Sequence, residues 1–485
     1  MFVFMFISIL IPLILGIVVH FLKIQNKKLI NILISSLSSL IVISVILLTI
    51  FSGQRVELFK LTDNLLILFK NDGVSNFFAI IISVIFLLVS LYAFRYFEHD
   101  ENSNKFFSFY LMSEATLLLL CYSGNLITLY LGFEMLTLLS MPLVLYDKTK
   151  ESIRAAIKYL IYSIGGAFLG LFAVFVLYAY TTNGCEFVLG GSLDLTEANA
   201  HKTLILVSLL LAFIGFGTKA GMFPLQEWLP TAHPVAPAPA SAVLSGIITK
   251  AGVLFIVRIL FFIVGTDFIK GTWLQYTWIT LILITILLGS GLALLQNNFK
   301  KRLAYSSVSQ LSYILLGISL LNEQSLAGSF IHIASHACIK VCLFLVAGIM
   351  IHNLQKHNVD ELTGVGKQMP ITIWCYTICS LGLIGIPPTG PFTSKWYLAM
   401  GALNSGSTAV GIIACIVLLT SAVFTALYLL PITIKAFFPG DKNQEFSKVK
   451  ENKLMSTVLI ILTVSAVLIG IFSNYIIAAV QGFLF

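Results

Sequence analysis

Long apolar stretches separated by short polar loops repeat along almost the whole chain. Most of them are long enough for a helix that crosses a bilayer, which takes roughly 20 apolar residues. The pattern predicts an all-α polytopic membrane protein with about 14 transmembrane helices. The predicted spans cover residues 2–21, 29–51, 74–94, 106–123, 125–146, 156–182, 203–229, 238–264, 274–295, 303–321, 328–351, 371–402, 408–436 and 454–482.

The spacing of these spans predicts an internal repeat. Spans four to eight cover 106–264 and spans nine to thirteen cover 274–436, with five spans in each block. Because five is odd, the second block crosses the membrane in the opposite sense, as in the inverted repeats of many secondary transporters. This division leaves a three-helix segment at 1–105 and a C-terminal helix at 437–485.

Prolines interrupt the fourth span of each block, at Pro224 in the first and at Pro387 and Pro388 in the second. Proline has no backbone N–H, so it frees carbonyl groups at membrane depth. A lysine lies near each break, since Lys219 is five residues before Pro224 and Lys395 is seven residues after Pro388. Broken helices form the ion and substrate sites of such transporters, so the pattern indicates a transporter.

Composition agrees with this interpretation. Of the 485 residues, 58% are hydrophobic and 10% are charged, a balance that is not typical of soluble domains. Lysine and arginine concentrate in the loops after odd-numbered spans, which predicts a multi-pass protein of the cell membrane with both termini outside. The net charge of +8 therefore reflects topology and does not indicate nucleic-acid binding. The first span lacks the charged start of a signal peptide and is interpreted as retained.

The loops and cysteines add little chemistry. Residues 187–195 alternate around Gly190 and Gly191 and predict a small external hairpin. The seven cysteines form no disulfide framework. Two pairs of cysteines are four residues apart in apolar spans, where ordinary buried cysteine is a better interpretation than a metal site. We expect no cofactor and no metal in this chain.

Six cations fall inside the predicted spans, where a charge costs about 2.5–3.5 kcal/mol and commonly marks an ion pathway. They are Lys158, Lys219, Lys250, Arg258, Lys340 and Lys395. Lys158 and Arg258 lie near span ends, where a long side chain can reach the surface, so a purely topological role is equally open for them. For the others the alternative is a paired charge that only fixes helices together.

Three glutamates are candidate partners for these cations. Glu134 is the deepest carboxylate, near the centre of the fifth span, and is a natural partner for a buried lysine. Closing such an ion pair would hold a proton on the lysine, and opening it would release the proton. Glu114 in the fourth span is a second candidate. Glu227 follows the break at Pro224 and is expected to face an interfacial cavity.

His332, His336 and Lys340 follow one another at i, i+4 spacing in the eleventh span, so they share one helix face. Histidine titrates near neutral pH and can pass protons along a water chain. Zinc binding by the two histidines is a rival interpretation, but no third ligand is apparent and Lys340 would repel the metal. Inert packing is the third. We favour a proton relay.

Several of these stretches resemble the antiporter-like subunits of respiratory complex I, of Mrp-type multisubunit cation/proton antiporters and of membrane-bound hydrogenases. The resemblance covers roughly residues 120–400. The stretches are the run from Lys219 to His233, the Ala-Pro-rich run 236–242, the run from Lys301 to Gln310, the helix from His332 to Lys340, and the run from Gly385 to Lys395.

The resemblance implies roles for individual residues. Glu134 and Lys219 would form an input pair, Lys250 would be a central lysine and Lys395 an exit lysine. A connecting histidine is expected at His332 or His336. Lys250 and the Ala-Pro-rich run look most like the D-type Mrp and hydrogenase subunits or the corresponding complex I subunit.

The resemblance also implies a fold of fourteen helices and a set of partners. The expected partners are other membrane subunits of one complex, including further antiporter-like subunits, with lipids around them and protons or Na⁺ as the transported ions. Iron–sulfur, nickel or flavin centres are expected only in the partner subunits.

The leading hypothesis is a proton-translocating subunit of a complex I-like oxidoreductase or hydrogenase, without redox chemistry of its own. The predicted relay consists of Glu134, Lys219, Lys250, His332, His336, Lys340 and Lys395, with Glu114, Lys158 and Glu227 as auxiliary residues. The alternatives are a D-type subunit of an Mrp antiporter without redox chemistry, a stand-alone secondary transporter, and a non-conducting scaffold.

Overall fold

The N-terminal part of the molecule is a helical layer with a small hairpin. The computed structural model describes residues 2–22, 26–62, 65–439 and 447–484. The first elements are α1 (Phe2–Leu22), α2 (Lys27–Ile50), the antiparallel strands β1 (Arg55–Thr62) and β2 (Leu65–Lys70), and α3 (Gly73–Tyr96). The sequence did not predict this hairpin, which is the one sheet in the described ranges.

The middle part contains the first broken helix. Its elements are α4 (Ser103–Tyr122), α5 (Leu126–Val144), α6 (Lys150–Ala179), α7 (Leu195–Ala200), α8 (Lys202–Gly217), α9 (Trp228–Val235), α10 (Ala238–Val243), α11 (Lys250–Arg258) and α12 (Thr266–Ile269). A π-helical turn at Leu244–Ile248 joins α10 to α11, and a second one at Ile259–Val264 extends α11. Ala238–Val264 is therefore one continuous helix, and it is wholly buried.

The C-terminal part contains the second broken helix. Its elements are α13 (Trp273–Leu295), α14 (Phe299–Ser319), α15 (Glu323–Leu354), a 3₁₀ turn (Val359–Leu362), α16 (Val365–Gln368), α17 (Pro370–Ile384), α18 (Gly390–Leu403), α19 (Thr408–Phe437), α20 (Lys453–Ile471) and α21 (Ser473–Leu484). Helix α15 packs against α14, α17, α18 and α20 and is almost entirely buried. The last predicted span, 454–482, corresponds to two helices, α20 and α21, which meet at Phe472.

Ten helices in the described part of the chain are long and apolar enough to cross a membrane. The predicted spans that fall outside this set correspond to α4, α8, α14 and α17. Helices α8 and α17 are apolar but short because each stops at a break. Helix α14 begins with charged and hydroxyl side chains, and α4 carries Glu114 and several serines, so both are less apolar.

The breaks occur where the prolines predict them. Helix α8 ends at Gly217 and α9 begins at Trp228, with Pro224 between them. Helix α17 ends at Ile384 and α18 begins at Gly390, with Pro387 and Pro388 between them. Each break leaves a helix end inside the protein, and these ends position the lysines described below.

The predicted hairpin at 187–195 does not form as a hairpin of its own. The backbone N–H groups of Val188, Gly190 and Ser192 donate to the carbonyl oxygens of Phe262, Phe261 and Ile263, at 2.8–3.1 Å. These carbonyls lie in the last turn of the helix, which ends at Val264, and the last carbonyls of a helix have no donor within it. Gly191 N–H donates to the Val188 carbonyl oxygen at 3.1 Å and closes a turn, but the alternating residues on either side pair with this helix end and not with each other.

Candidate functional site

Lys250 and His336 meet in the centre of the molecule. Both side chains are buried, and Lys250 Nζ lies 2.7 Å from His336 Nδ1. Lys250 Nζ also donates to the carbonyl oxygen of Ser245, 2.9 Å away in the first π-helical turn. An ammonium group can only donate, so with a charged lysine Nδ1 of His336 accepts and its ring proton is on Nε2.

A second histidine extends this group toward α18. The rings of His336 and His332 are stacked with their centroids 5.8 Å apart. His332 Nδ1 lies 2.7 Å from Ser394 Oγ, the residue next to Lys395. Nε2 of each histidine is buried and has no hydrogen-bond partner in the described part of the protein. The sequence places these histidines on one helix face, and the structure connects that face to two neighbouring helices.

Lys395 lies at the broken end of α17. Its Nζ donates to the carbonyl oxygens of Leu383 and Ile384, at 2.8 and 2.7 Å. The last carbonyls of a helix have no intrahelical donor, so the ammonium satisfies two of them. The same Nζ lies 5.2 Å from the ring centroid of Tyr313, whose edge faces His332. Lys395 is half-buried.

Lys340 approaches Lys250 through hydroxyl groups of α14. Its buried Nζ donates to the Leu303 carbonyl oxygen at 3.0 Å and contacts Ser306 Oγ. Ser307 Oγ donates to the same carbonyl and lies 2.6 Å from Ser245 Oγ. Ser245 also accepts from Lys250 through its carbonyl, so hydrogen bonds run from Lys340 to the Lys250–His336 pair.

Lys219 lies apart from this network and does not form the ion pair implied with Glu134. It follows the end of α8, and its buried Nζ donates to Thr137 Oγ1 at 2.5 Å. The half-buried Glu134 accepts from the Tyr130 hydroxyl at 3.1 Å, and in the described chain its oxygens lie beyond 4 Å from Lys219 Nζ. Thr137 is one helical turn after Glu134, so the hydroxyl occupies the place expected for the carboxylate.

Aromatic side chains surround Lys219. The ring of Phe133 lies 4.4 Å from its Nζ, and the rings of Phe216 and Phe255 stack at 3.6 Å beside Phe133. Among the described residues, no hydrogen bond links this group to Lys250. The structure therefore joins Lys250, His336, His332 and Lys340, and it keeps Lys219 and Glu134 in a separate group.

The remaining predicted residues form local contacts. Lys158 and Glu227 pair with each other at 3.5 Å, and Lys158 also donates to Thr231. Both side chains are partly exposed, and the cavity expected at Glu227 stays a prediction. Glu114 is fully buried, and neither carboxyl oxygen has a hydrogen-bond partner in the part of the chain that is described.

Arg258 has a structural contact at the far end of α11. Its guanidinium donates to both carboxylate oxygens of Asp72, at 2.7 and 2.9 Å, and to Ser75 Oγ at 2.8 Å. Asp72 caps the first turn of α3 through the backbone N–H of Ser75. The ion pair therefore ties α11 to α3, which accounts for a buried arginine near a span end.

Sequence reasoning missed several partners of these groups. Thr137, Ser394 and Tyr313 are the direct neighbours of Lys219, His332 and Lys395. Hydroxyl groups occur throughout the spans, so only the three-dimensional structure singles these out. The burial of Lys300 was also not predicted. It precedes two further basic residues, and such a basic loop usually only sets the orientation of the neighbouring spans. No group of three His, Cys, Asp or Glu side chains in the described ranges is arranged to hold a metal ion.

Two family models match the sequence. Residues 123–425 match the family described as NADH:quinone oxidoreductase/Mrp antiporter, TM. Residues 62–107 match the family described as NADH-ubiquinone oxidoreductase (complex I), chain 5 N-terminus. The first match covers the central network, the Lys219 group and both helix breaks.

Individual proteins are similar over most of the chain. The N-type subunit of the NADH-quinone oxidoreductase of Desulforudis audaxviator is 31% identical over 378 residues, 76% of this chain and 72% of the relative. The D-type subunit of the Na⁺/H⁺ antiporter of Bacillus subtilis is 28% identical over 445 residues, 90% of this chain and 88% of the relative.

A solved structure shares the fold. A chain of the membrane-bound sulfane sulfur reductase, an archaeal respiratory membrane complex, superposes with a TM-score of 0.87. The superposition covers 99% of this chain and 97% of that chain at 23% sequence identity.

Proposed function

Since the chain belongs to the NADH:quinone oxidoreductase/Mrp antiporter membrane family, we propose that it is the proton-translocating subunit of a multisubunit, complex I-like membrane oxidoreductase or hydrogenase. Protons move along a buried relay in which Lys250 is the central residue. The relay uses Glu134, Lys219, Lys250, His332, His336, Lys340 and Lys395, with Glu114, Lys158 and Glu227 beside it.

One observation carries this proposal. Helices α11, α15 and α18 bring four side chains into one row. Lys250 contacts His336 at 2.7 Å, and His332 contacts Ser394 at 2.7 Å. The two imidazole rings between these contacts stack on each other. Groups that titrate and lie in such contact can exchange protons, whereas isolated buried charges cannot. Burial of ionisable side chains in a membrane protein is costly and marks ion paths.

The two ends of the relay have different roles. Lys219 and Glu134 load or gate it, because separation of their charges changes how strongly Lys219 holds its proton. Lys395 delivers protons to one side of the membrane. Its position on the free carbonyls of α17 resembles the half-helix ion sites of secondary transporters.

The membrane arrangement is part of the proposal. Helices α4, α8, α14 and α17 complete a set of fourteen spans with the ten long apolar helices. The blocks 106–264 and 274–436 are inverted repeats, between an N-terminal segment at 1–105 and a C-terminal part at 437–485. Both termini face outward from the cell membrane, with lipids and other membrane subunits around the chain. Cofactors reside only in those partners.

Ion-pumping assays on the complex reconstituted in liposomes test this function. Lys250→Met and Lys395→Met should abolish proton uptake, while the complex keeps its subunit composition. Normal coupled pumping by both variants would refute the relay. A double variant that neutralises both Glu134 and Lys219 is measured as well. If it pumps at the wild-type rate, these two charges are only a structural pair.

A second candidate is favoured by the similarity to the D-type subunit of the Na⁺/H⁺ antiporter, which extends over 90% of the chain. In that case the chain is the D-type subunit of an Mrp antiporter without redox chemistry. Identification of the copurifying subunits separates the two: an iron–sulfur or nickel protein supports the oxidoreductase, and a redox-inactive complex with Na⁺-dependent proton flux supports the antiporter. Activity of the purified chain alone would support a stand-alone secondary transporter.

A further inference from the structure

An acidic cavity opens on the face that carries most of the loop lysines and arginines. It has a volume of about 560 Å³ and is lined in part by Asp100, Glu101, Tyr146, Asp147 and His352. The Tyr146 hydroxyl donates to the Asp100 carboxylate at 2.7 Å, and Asp147 is exposed. A group of carboxylates in a concave site raises the local concentration of cations, even on a basic face.

A buried lysine lies just behind this cavity. Lys300 is 6% exposed, and its Nζ donates to the carbonyl oxygen of Ala236 at 2.7 Å. Pro237, the next residue, lines the cavity wall. The charges of Lys300 and Asp147 interact. Lys300 thus lies between the acidic cavity and the loop that joins α9 to α10. It is not one of the residues of the proposed relay.

His233 lies between the contacts of Lys300 and the turn of α15 that follows Lys340, since it is three residues before Ala236, which binds Lys300, and packs on Phe344, one turn after Lys340. It is fully buried in α9, its ring stacks on Phe344 at 4.6 Å, and neither ring nitrogen has a hydrogen-bond partner in the described chain. A buried imidazole with two free nitrogens can take a proton on one and give it up from the other. The charges of Lys300 and Lys340 both act on this ring.

The path continues through contacts already described. Lys340 donates to the Leu303 carbonyl on α14, one turn after Lys300, and it is one helical turn after His336, the partner of Lys250. The paired hydroxyls of Ser307 and Ser245 keep the space between Lys340 and the turn that binds Lys250 polar. Aromatic rings instead surround Lys219, and no hydrogen bond in the described part of the chain connects it to Lys250. The geometry favours access to Lys250 from the Asp147 side.

We propose that the cavity beside Asp147 is a proton inlet, that Lys300 takes protons from its water, and that His233 passes them to Lys340. This inference rests on the proposed function and names the residues that supply its relay. In each transfer the acceptor is the neutral form of the side chain, and the donor returns to its neutral form when the proton leaves. No other bond changes.

The test uses the whole complex in liposomes, with proton uptake as the readout. Lys300→Gln should lower the initial rate about tenfold or more, as expected for loss of a proton-transfer group. Lys301→Gln is the matched control, since it removes the neighbouring charge, and should stay within about twofold of the wild type. A normal rate for Lys300→Gln would overturn the inlet.

A labelling experiment covers the case in which Lys300→Gln fails to assemble. Asp147→Cys is treated with a membrane-impermeant methanethiosulfonate reagent that carries a trimethylammonium group and so places a positive charge in the cavity, applied to the cavity side. Modification should block uptake in Asp147→Cys and leave the wild type and Lys150→Cys unaffected. Equal uptake before and after modification of Asp147→Cys would also overturn the inlet.

The outcomes separate the inlet from the relay. If Lys250→Met abolishes uptake while Lys300→Gln and modified Asp147→Cys are normal, the relay stands and the inlet is wrong. If Lys250→Met pumps normally, the proposed function itself fails.

Discussion

Lys250 and His336 come within 2.7 Å of each other between α11 and α15, nitrogen to nitrogen. Two cations at that distance in a buried site repel strongly, so a proton on one disfavours a proton on the other. The two groups are therefore coupled, and in the proposed relay a proton that arrives from Lys340 would displace one toward His332.

This coupling predicts non-additive substitutions. Lys250→Met and His336→Ala should each abolish most of the proton uptake, and the double variant should be no worse than the more damaging single one. Initial uptake rates in liposomes measure this. His357→Ala, an exposed histidine in the loop after α15, is the control and should retain the wild-type rate. Additive losses would mean that the two residues act independently.

Lys395→Met should affect both transport and stability. The substitution leaves the carbonyl oxygens of Leu383 and Ile384 without a donor, which costs about 1–3 kcal/mol. Thermal unfolding in detergent should show this loss together with the loss of uptake. Lys435→Met removes an exposed ion pair with Asp360 and should cost less than about 1 kcal/mol. An unchanged melting temperature for Lys395→Met would contradict the helix-end contact.

Two adjacent glycines in α6 provide a matched pair. A Cβ at Gly166 would lie 2.5 Å from the Gly215 carbonyl oxygen of α8, whereas a Cβ at Gly165 would meet nothing within 4 Å. Gly166→Ala should therefore push α8 away and destabilise the protein by about 1–3 kcal/mol. Gly165→Ala should be neutral or slightly stabilising, because alanine favours a helix. Equal unfolding temperatures for both variants would show that α6 and α8 do not approach this closely.

Thr137→Val tests the contact found for Lys219. Valine has nearly the same shape but cannot accept from the ammonium, and loss of a hydrogen bond to a charged group costs about 1.5–3 kcal/mol. We expect uptake to fall about tenfold. Thr116→Val is the control, since that buried hydroxyl bonds only to carbonyls of its own helix. Full activity of Thr137→Val would mean that transport does not depend on this hydrogen bond.

Asp72→Asn tests the ion pair with Arg258 and has a defined pH dependence. Burial opposes ionisation of the Asp72 carboxyl, but Arg258 and Ser75 hold its pKa below the usual range. The contribution to stability is therefore present at neutral pH and disappears as the pH falls below about 4. Asparagine keeps the helix cap, so the variant removes only the charge.

At pH 7 the variant should unfold about 3 kcal/mol more easily than the wild type, because Arg258 stays buried without its partner. Unfolding followed between pH 7 and pH 3 should show the difference shrinking at the acidic end. Asp267→Asn, an exposed acid at the start of α12, serves as the control. A difference that grows with acidity would have the wrong sign for this ion pair.

Most of the helices were predictable because apolar length alone defines a span, and the breaks were predictable because proline cannot continue a helix. The boundary between the fourth and fifth spans was also predictable. Helix α4 ends at Tyr122, and the Asn125 side chain accepts from the Thr128 N–H at the start of α5. The β1–β2 hairpin was missed since it lies between spans, where hydropathy carries no signal.

The cations of the site were predictable, and their partners were not. A lysine in an apolar run is visible in any sequence, but its nearest oxygen depends on how helices distant in sequence pack. The input pair of Glu134 and Lys219 stays a prediction, and the hydroxyl that Lys219 contacts directly, on Thr137, could not be read from the sequence. Lys300 was hidden by Lys301 and Arg302, because three successive basic residues at a span end resemble a topological signal.

The π-helical turn before Lys250 acts as an angular spacer. A π turn holds one residue more than an α turn, and one residue corresponds to about 100° around a helix axis. The side chains of α11 therefore point in other directions than they would if an α-helix ran unbroken from Pro237. If the same residues of Leu244–Ile248 wound as an ordinary α turn, the Lys250 amine would rotate by about 100° and lose its contact with the imidazole, whereas an α turn with one residue fewer would keep its present direction.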